Sequence, residues 1–485
     1  MRSFVSMRIA GPVLTVAFLA LGGCSRSEPL PPPVIFISID TLRAANVTSY
    51  GYERKTTPNL DRFAEEAIVC TDAVCNSINT LISHASLLTS QYPSMHGVQP
   101  GIPLRDETET LAETLSEAGY ETAFFAAHGD WLSKRYGFDQ GFDAFETGYV
   151  KADQINAWAL DWLGEGRPSP FFLFLHYYDV HSDFATDGDL PYSAPSPEAG
   201  TFTKGYAGSF NGCSEDGELC ASAYLKHLND TETQLPVEDR DYIRSLYDEE
   251  ILYTDRMVGA VLDRLRELDL YDKAVIVITA DHGEAFQEHG SFLHDTVFEG
   301  VIRVPLWIRL PGAAERGRVD AVAEGVDIVP TILDYLGLEV DPGMQGESLL
   351  RIARGEEPES DFALVHSVAM RSSRWKIMQR LGQRLVFDLE ADPGEREDIA
   401  AENATVVRDA EQHLGALMER YPPMKAYFEG RIDGRNPEIE MDDAERRRLE
   451  QLGYTVPAAP PGDSDAGGDD RSSDADGESP GDSRP

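Results

Sequence analysis

Three stretches of the chain are almost continuously apolar: VIFISI at residues 34–39, FFLFL at 171–175 and AVIVIT at 274–279. Runs rich in Val, Ile and Phe, with no polar alternation, suit parallel strands buried on both faces. A further apolar strand is predicted at 121–127. Between the strands the pattern changes to helical spacing. Residues 57–69 predict a helix, with Thr57 as N-cap, Pro58 in the first turn, and Leu60, Phe63, Ala64 and Ala67 on one face. Residues 107–119 predict a second helix that stops at Gly119, and 238–268 a long one. Strands alternating with helices predict a doubly wound, mainly parallel α/β sheet. Residues 183–229 interrupt it with a polar, Gly/Pro-rich stretch that reads as an irregular lid or substrate-selecting loop.

After about Gly337 the pattern changes again. Short strand-like runs at 362–370, 375–379 and 384–389, then helices at 403–421 and 442–453, predict a smaller C-terminal α+β domain on an antiparallel sheet. The expected organisation is a catalytic domain over 34–340, the C-terminal domain over 341–455, and an acidic tail over 456–485. That tail is Pro, Gly, Asp and Ser with almost no apolar residue, a composition that stays disordered.

Each of the three apolar strands runs into polar chemistry. The first ends at Asp40, the second at His176, Asp179 and His181, the third at Asp281 and His282. Ligands of open α/β sheets bind at the carboxyl ends of the strands, so these residues are expected to meet. Asp and His together suit one divalent cation: calcium, magnesium, manganese or zinc. The pattern predicts a metal-dependent hydrolase or transferase.

Composition adds exclusions. The formal net charge is −42, with 84 acidic residues against 42 basic ones. Such a balance argues against a nucleic-acid partner, which needs a basic surface. Residues 1–24 look like an export signal: Arg2 and Arg8 precede an apolar stretch too short for a secure membrane span. The stretch ends Leu21-Gly22-Gly23-Cys24, which resembles the bacterial lipobox and implies a lipid on Cys24. Residues 25–33 form a short tether. Ser25 follows the Cys, which favours the outer membrane in a Gram-negative cell. Export places Cys70, Cys75, Cys213 and Cys220 in an oxidising space. Cys213 and Cys220 could close a loop; Cys70 and Cys75 could pair or stay buried thiols.

The stretch TLISHASLLTSQYPSMHGV at 80–98 is the most diagnostic. With VIFISIDTLRAANVTSYGY, HYYDVHSDF, TADHGEAFQEHGSFLHDTVFEGVIRVPLWIRLPG, FDLEADPGE and LEQLGY, it resembles the sulfatase family of the alkaline phosphatase superfamily. That resemblance implies an alkaline-phosphatase-like fold. The family's nucleophile motif is Cys-x-Pro-Ser-Arg followed by Leu-Thr-Gly, with the Cys oxidised to formylglycine. Aligning Leu88-Thr89 puts Thr80 at the Cys position, Ile82 at the Pro, Ser83 at the Ser, His84 at the Arg and Ser90 at the Gly. Cys75 lies too far upstream to serve. No formylglycine is therefore expected, and the resemblance implies Thr80 as nucleophile. A hydroxyl on a cation is acidified and can attack. A Thr here also suits the cap of a helix beginning SHASLL.

The resemblance further implies Asp40, Asp281 and His282 as metal ligands, completed by Thr80. Thr41 stands where many members carry a second acid. His181, in Asp179-Val180-His181, matches a His that contacts the sulfate or leaving group. His294 stands where many relatives carry a Lys that binds the ester oxygens, and His84 where an Arg orients the nucleophile. His176 reads equally as a core residue, His96 as structural, and His289 as a weak supporting candidate. The expected function is a metal-dependent, envelope-anchored hydrolase of sulfate or phosphate esters on a small molecule, glycan or lipid. Two alternatives are a phosphoryl-headgroup transferase on envelope glycans or lipids, and a non-catalytic binding protein on a degenerate sulfatase frame.

Overall fold

A computed structural model describes residues 30–425, except 168, 169, 185–187, 367, 381 and 423. The export signal, Cys24, the 442–453 helix and the acidic tail lie outside the described residues. In chain order the strands are β1 (Val34–Ile39), β2 (Ile68–Val74), β3 (Glu121–Ala127), β4 (Ala144–Gly148), β5 (Phe171–Tyr177), β6 (Val275–Thr279), β7 (Ala285–Phe286), β8 (Phe292–Leu293), β9 (Leu306–Arg309), β10 (Gly317–Glu324), β11 (Ala363–Val365), β12 (Ala369–Arg371), β13 (Trp375–Arg380) and β14 (Gln383–Asp388).

Eight of them form one sheet in the order β10-β2-β9-β6-β1-β5-β3-β4. All neighbours run parallel except at β9, which is antiparallel to both β2 and β6. Every residue of β1, β5 and β6 is buried, so both faces of the sheet are covered, as their unbroken apolar runs require. The helices Pro58–Ala64, Ala152–Gly164 and Val237–Glu267 pack together as one group, and Thr80–Thr89 packs with Leu111–Glu117 and Ile328–Leu336 as another. β1 sits between β5 and β6, with Ser38 level with His176 and Thr279. That register brings the polar ends of all three strands to one edge.

Several boundaries differ from expectation. The helix predicted over 57–69 stops at Ala64, and Ile68 and Val69 open β2. β-branched residues at the end of a helical pattern favoured the strand. The helix predicted from 107 begins at Leu111, because Thr110 and Glu113 form a reciprocal capping box. Gly119, in the left-handed region, closes it as expected. The insert after β5 is irregular up to a helix, Ala221–Asp230, that its composition hid. Cys213 and Cys220 are disulfide-bonded, and Cys70 and Cys75 are buried thiols. The insert hangs on the long helix: Glu249 accepts from the backbone of Gly200, Phe202 and Thr203, and Glu250 from that of Ser193.

The C-terminal sheet is antiparallel, in the order β11-β12-β13-β14. The single run predicted at 362–370 is a hairpin, turning at His366 with a Val368 N–H to Val365 carbonyl bond. Buried ions fasten this sheet to the large one. Arg371 pairs with Asp72 of β2 and with Glu299, and Lys376 pairs with Glu299 and Glu395. Lys376 is fully buried, and removing one partner of such a cluster would strand the other charges in a dry interior.

Candidate active site

The first strand end is pinned by backbone bonds. The Asp40 N–H donates to the Tyr177 carbonyl at 2.9 Å, holding β1 to β5 up to its last residue. Thr41 then turns into the left-handed region at φ 51°. Its N–H donates to Asp281 Oδ1 at 3.1 Å and its hydroxyl to the Val180 carbonyl at 3.0 Å. Thr41 therefore ties the three strand ends together, and its side chain is spent on that bond rather than on a ligand. Tyr247 of the long helix completes the clamp by donating to the Thr41 carbonyl at 2.6 Å.

Asp281 Oδ1 also accepts the N–H of His282 at 2.8 Å. Its other oxygen, Oδ2, and Oδ1 of Asp40 are buried with no hydrogen-bond partner among the described residues. Buried carboxyl oxygens without a protein partner are unusual, because burial removes their hydration. Donor atoms of Asp40, Asp281 and His282 all lie within 4.8 Å of one another. The His282 Nδ1–H donates to the Gly283 carbonyl at 3.0 Å, so Nε2 presents its lone pair to the group. Two carboxylates and an imidazole nitrogen, with carboxylate oxygens lacking partners, fit a divalent cation. Protonation tells the same story. Burial, then the charge of Asp281, hold Asp40 well above the usual carboxylate range. Burial also works against Asp281, but His282, His84 and His176 outweigh it and hold it at about 2.

Thr80 opens the helix Thr80–Thr89 and is fully buried. Its Oγ1 lies 3.3 Å from Asp40 Oδ2 and 3.4 Å from His282 Nε2. The cap of this helix is Asn79, whose side chain accepts from the Ile82 N–H. Thr80 is thus not the cap, and its hydroxyl stays with the acids. His84, expected where an Arg orients the nucleophile, bonds the first turn of this helix. Its Nδ1 contacts the Thr80 carbonyl at 2.8 Å and its Nε2 the Ser38 hydroxyl at 3.0 Å. Both nitrogens are engaged beneath the helix, so the ring orients Thr80 and has none left for an ester. His176 belongs to the site rather than to the core alone, with Nε2 3.2 Å from Asp40 Oδ2.

His181 and His294 meet at 3.2 Å through their Nε2 atoms. The His294 Nδ1–H donates to the Ile78 carbonyl, so its Nε2 is an acceptor. The proton between the rings therefore sits on His181. His181 Nδ1 lies 2.6 Å from Asp183 Oδ1. Burial alone would lower the His181 pKa, but Asp183 outweighs it and raises it above the ordinary imidazole value. Burial, then His282 and His181, push His294 well below that value. Of the two rings, His181 is the one favoured to carry the charge.

Sequence reading missed Asp183, whose only signal is its place two residues past His181. It also missed Glu284, buried with Oε2 accepting from Tyr192, and lifted to about 7 chiefly by burial. His289, stacked on Phe298, lies apart from the cluster, and His96 bonds Ser86 and Val98.

Comparison with known proteins gives the family and the fold. A family model described as Sulfatase matches residues 32–338, and one described as N-sulphoglucosamine sulphohydrolase, C-terminal, matches 287–420. The N-acetylglucosamine-6-O-sulfatase of Bacteroides thetaiotaomicron is 25% identical over 84% of this chain and 90% of its own. The ulvan-active sulfatase of Formosa agariphila is 26% identical over 81% and 84%. Among solved structures, a 2-O GAG sulfatase superposes with a TM-score of 0.66 over 88% of this chain and 97% of its own at 19% identity. The phosphonate monoester hydrolase of Agrobacterium radiobacter gives 0.64 over 80% and 96% at 23% identity.

Asp40→Asn and Asp281→Asn should each abolish stoichiometric divalent-cation binding, measured by calorimetry and metal analysis, with a far-UV spectrum like wild type. Asn keeps the acceptor that holds Thr41 and His282 in place, so loss of metal would report the charge and not the loop. Full metal content in either variant would remove the cation site.

Proposed function

The chain belongs to the sulfatase family of the alkaline phosphatase superfamily, and on that footing we propose that it is a metal-dependent hydrolase of sulfate or phosphate esters with Thr80 as its nucleophile. One observation carries the proposal. Asp40, Asp281 and His282 gather as one possible ligand set, and the hydroxyl at the family's nucleophile position lies beside it, 3.3 Å from Asp40 Oδ2 and 3.4 Å from His282 Nε2. A frame that had lost its chemistry has no reason to keep two acidic side chains buried side by side.

Asp40, Asp281 and His282 would hold the cation, with Thr80 beside them. A divalent ion supplies acidification of a hydroxyl and withdraws charge from ester oxygens. The remaining work falls to side chains. His84 holds the Thr80 carbonyl and so fixes the helix start. The Thr80 proton has an acceptor in Asp40 Oδ2, because His282 Nε2 would be taken up by the cation. As Thr80 Oγ1 bonds to sulfur or phosphorus, the bond to the leaving oxygen breaks and that oxygen takes a proton from the His181–His294 pair. Water then cleaves the Thr80 ester, returns a proton to the pair, and Thr80 recovers its own.

The substrate class is a sulfated glycan, by analogy with the relatives that act on N-acetylglucosamine-6-O-sulfate and ulvan. Thr80 itself favours a second reading. A sulfate on Thr lacks the easy elimination open to a formylglycine hemiacetal, whereas a phosphoryl-Thr is resolved by water or by another hydroxyl. Transfer of a phosphorylated headgroup within the envelope follows from the same residues. Aryl sulfates, aryl phosphate mono- and diesters and 6-O-sulfated N-acetylglucosamine, each with calcium, magnesium, manganese or zinc, separate the two. Product on an added alcohol acceptor marks the transferase.

On the best substrate of that panel, Thr80→Ala should lower kcat by roughly 1,000-fold or more while the Kd for substrate changes little. Thr80→Ser should keep part of the rate. Wild-type turnover from Thr80→Ala would overturn the mechanism.

The acid form of His181 disappears as pH rises through its raised pKa, so kcat/KM should fall on the alkaline side. Asp183→Asn removes the charge that raises it, and the alkaline limb should move to lower pH. An unmoved limb would exclude His181 as the acid.

Location in the bacterial envelope on an N-terminal lipid is part of the proposal and rests on the Leu-Gly-Gly-Cys ending. Cys24→Ala should move the protein from the detergent phase to the aqueous phase on partitioning. Retention in the detergent phase would assign the anchor elsewhere.

A further inference from the structure

The turn of the β11–β12 hairpin is made at a histidine. His366 adopts φ 46°, in the left-handed region that Gly enters freely and Asn, Asp and His more readily than other residues. His366 is half-buried, and its N–H donates to the Asn76 carbonyl at 2.8 Å, docking the hairpin on the segment that leads into Thr80. Two residues further along, His294 grips the same segment at the Ile78 carbonyl.

The hydrogen bonds fix its tautomer. Ser77 is fully buried, and its Oγ accepts the Asn79 N–H at 3.2 Å. Its second contact is His366 Nδ1 at 2.9 Å. If Ser77 accepted from both, its own proton would be buried with no acceptor. The satisfied arrangement runs from the Asn79 N–H to Ser77 Oγ, and from the Ser77 O–H to His366 Nδ1. Nε2 then carries the ring proton. That Nε2–H has no partner among the described residues, and burial favours the neutral ring.

We propose that His366 is a substrate-binding residue contributed by the C-terminal sheet, donating Nε2–H to an oxygen of the sugar that bears the ester. The inference rests on the sulfated-glycan reading above and deepens it. Its role is to hold the sugar while Thr80 addresses the ester, so it is a specificity residue and takes no part in bond making or breaking.

The test uses His366→Asn, because Asn accepts the left-handed turn and keeps the backbone bond to Asn76. Its melting temperature should equal or exceed that of wild type. With calcium present, calorimetry should show about tenfold weaker binding of 6-O-sulfated N-acetylglucosamine, the size of one lost hydrogen bond. Binding of 4-nitrophenyl sulfate, which has no sugar, should not change. Ser77→Ala, which releases the tautomer, should weaken sugar binding alone and by less. Equal sugar affinity in His366→Asn, a parallel loss on both ligands, or no sugar binding by wild type would each overturn the proposal. Sugar-selective loss at His366 alongside full turnover by Thr80→Ala would overturn the nucleophile and leave His366 standing.

Discussion

Asp40 and Asp281 end adjacent strands, and nothing in the fold lets the two carboxylates move apart. β1 and β6 are paired in register, each strand is buried over its whole length, and Thr41 bridges them by donating to Asp281 while its hydroxyl reaches the loop after β5. Two like charges in a low-dielectric interior repel strongly. The imidazoles of His282, His84 and His176 and the start of a helix surround them, and each of those rings is turned by a carbonyl: Gly283, Thr80 and Ala127. Those carbonyl bonds turn Nε2 of His282 toward Asp281 and Nε2 of His176 toward Asp40.

The same logic separates rings that act from rings that hold. His84 is saturated on both sides and orients the helix. His282 has one nitrogen tied to a carbonyl and the other turned to the acids. His181 is tied to Asp183 and shares a proton with His294. In this chain the positions matched to the family's Arg and Lys carry His, so fixed positive charge is replaced by imidazoles whose charge is set by neighbours. Asp183 thereby acquires a role that an always-charged side chain would not need.

Much of this was legible in the chain. Unbroken apolar runs reported the parallel strands, and their polar endings named Asp40, Asp281, His282 and His181. The resemblance to the family's motif, aligned on Leu88-Thr89, pointed to Thr80. What the sequence hid was anything decided by a distant partner. The cap at Asn79 was invisible because Thr80 and Asn79 are equally good cap residues, and only packing against Asp40 distinguishes them. β2 was absorbed into a helix because Ile68 and Val69 continue its spacing. The run at 362–370 concealed a hairpin because no Gly or Asn marks the turn. His366 takes that place, and a residue that breaks the local rule gives no local signal.

The long helix Val237–Glu267 carries two kinds of load on its buried side. Tyr247 holds the turn at Thr41, which sets the strand ends, while Glu249 and Glu250 two residues and more further on hold the insert by its backbone amides. The insert's own side chains add to that hold, Glu198 pairing with Arg256 and the Tyr206 hydroxyl donating to Asp239. One helix is thus a common spine for the insert and for the strand ends, and a displacement of that helix would reach both at once.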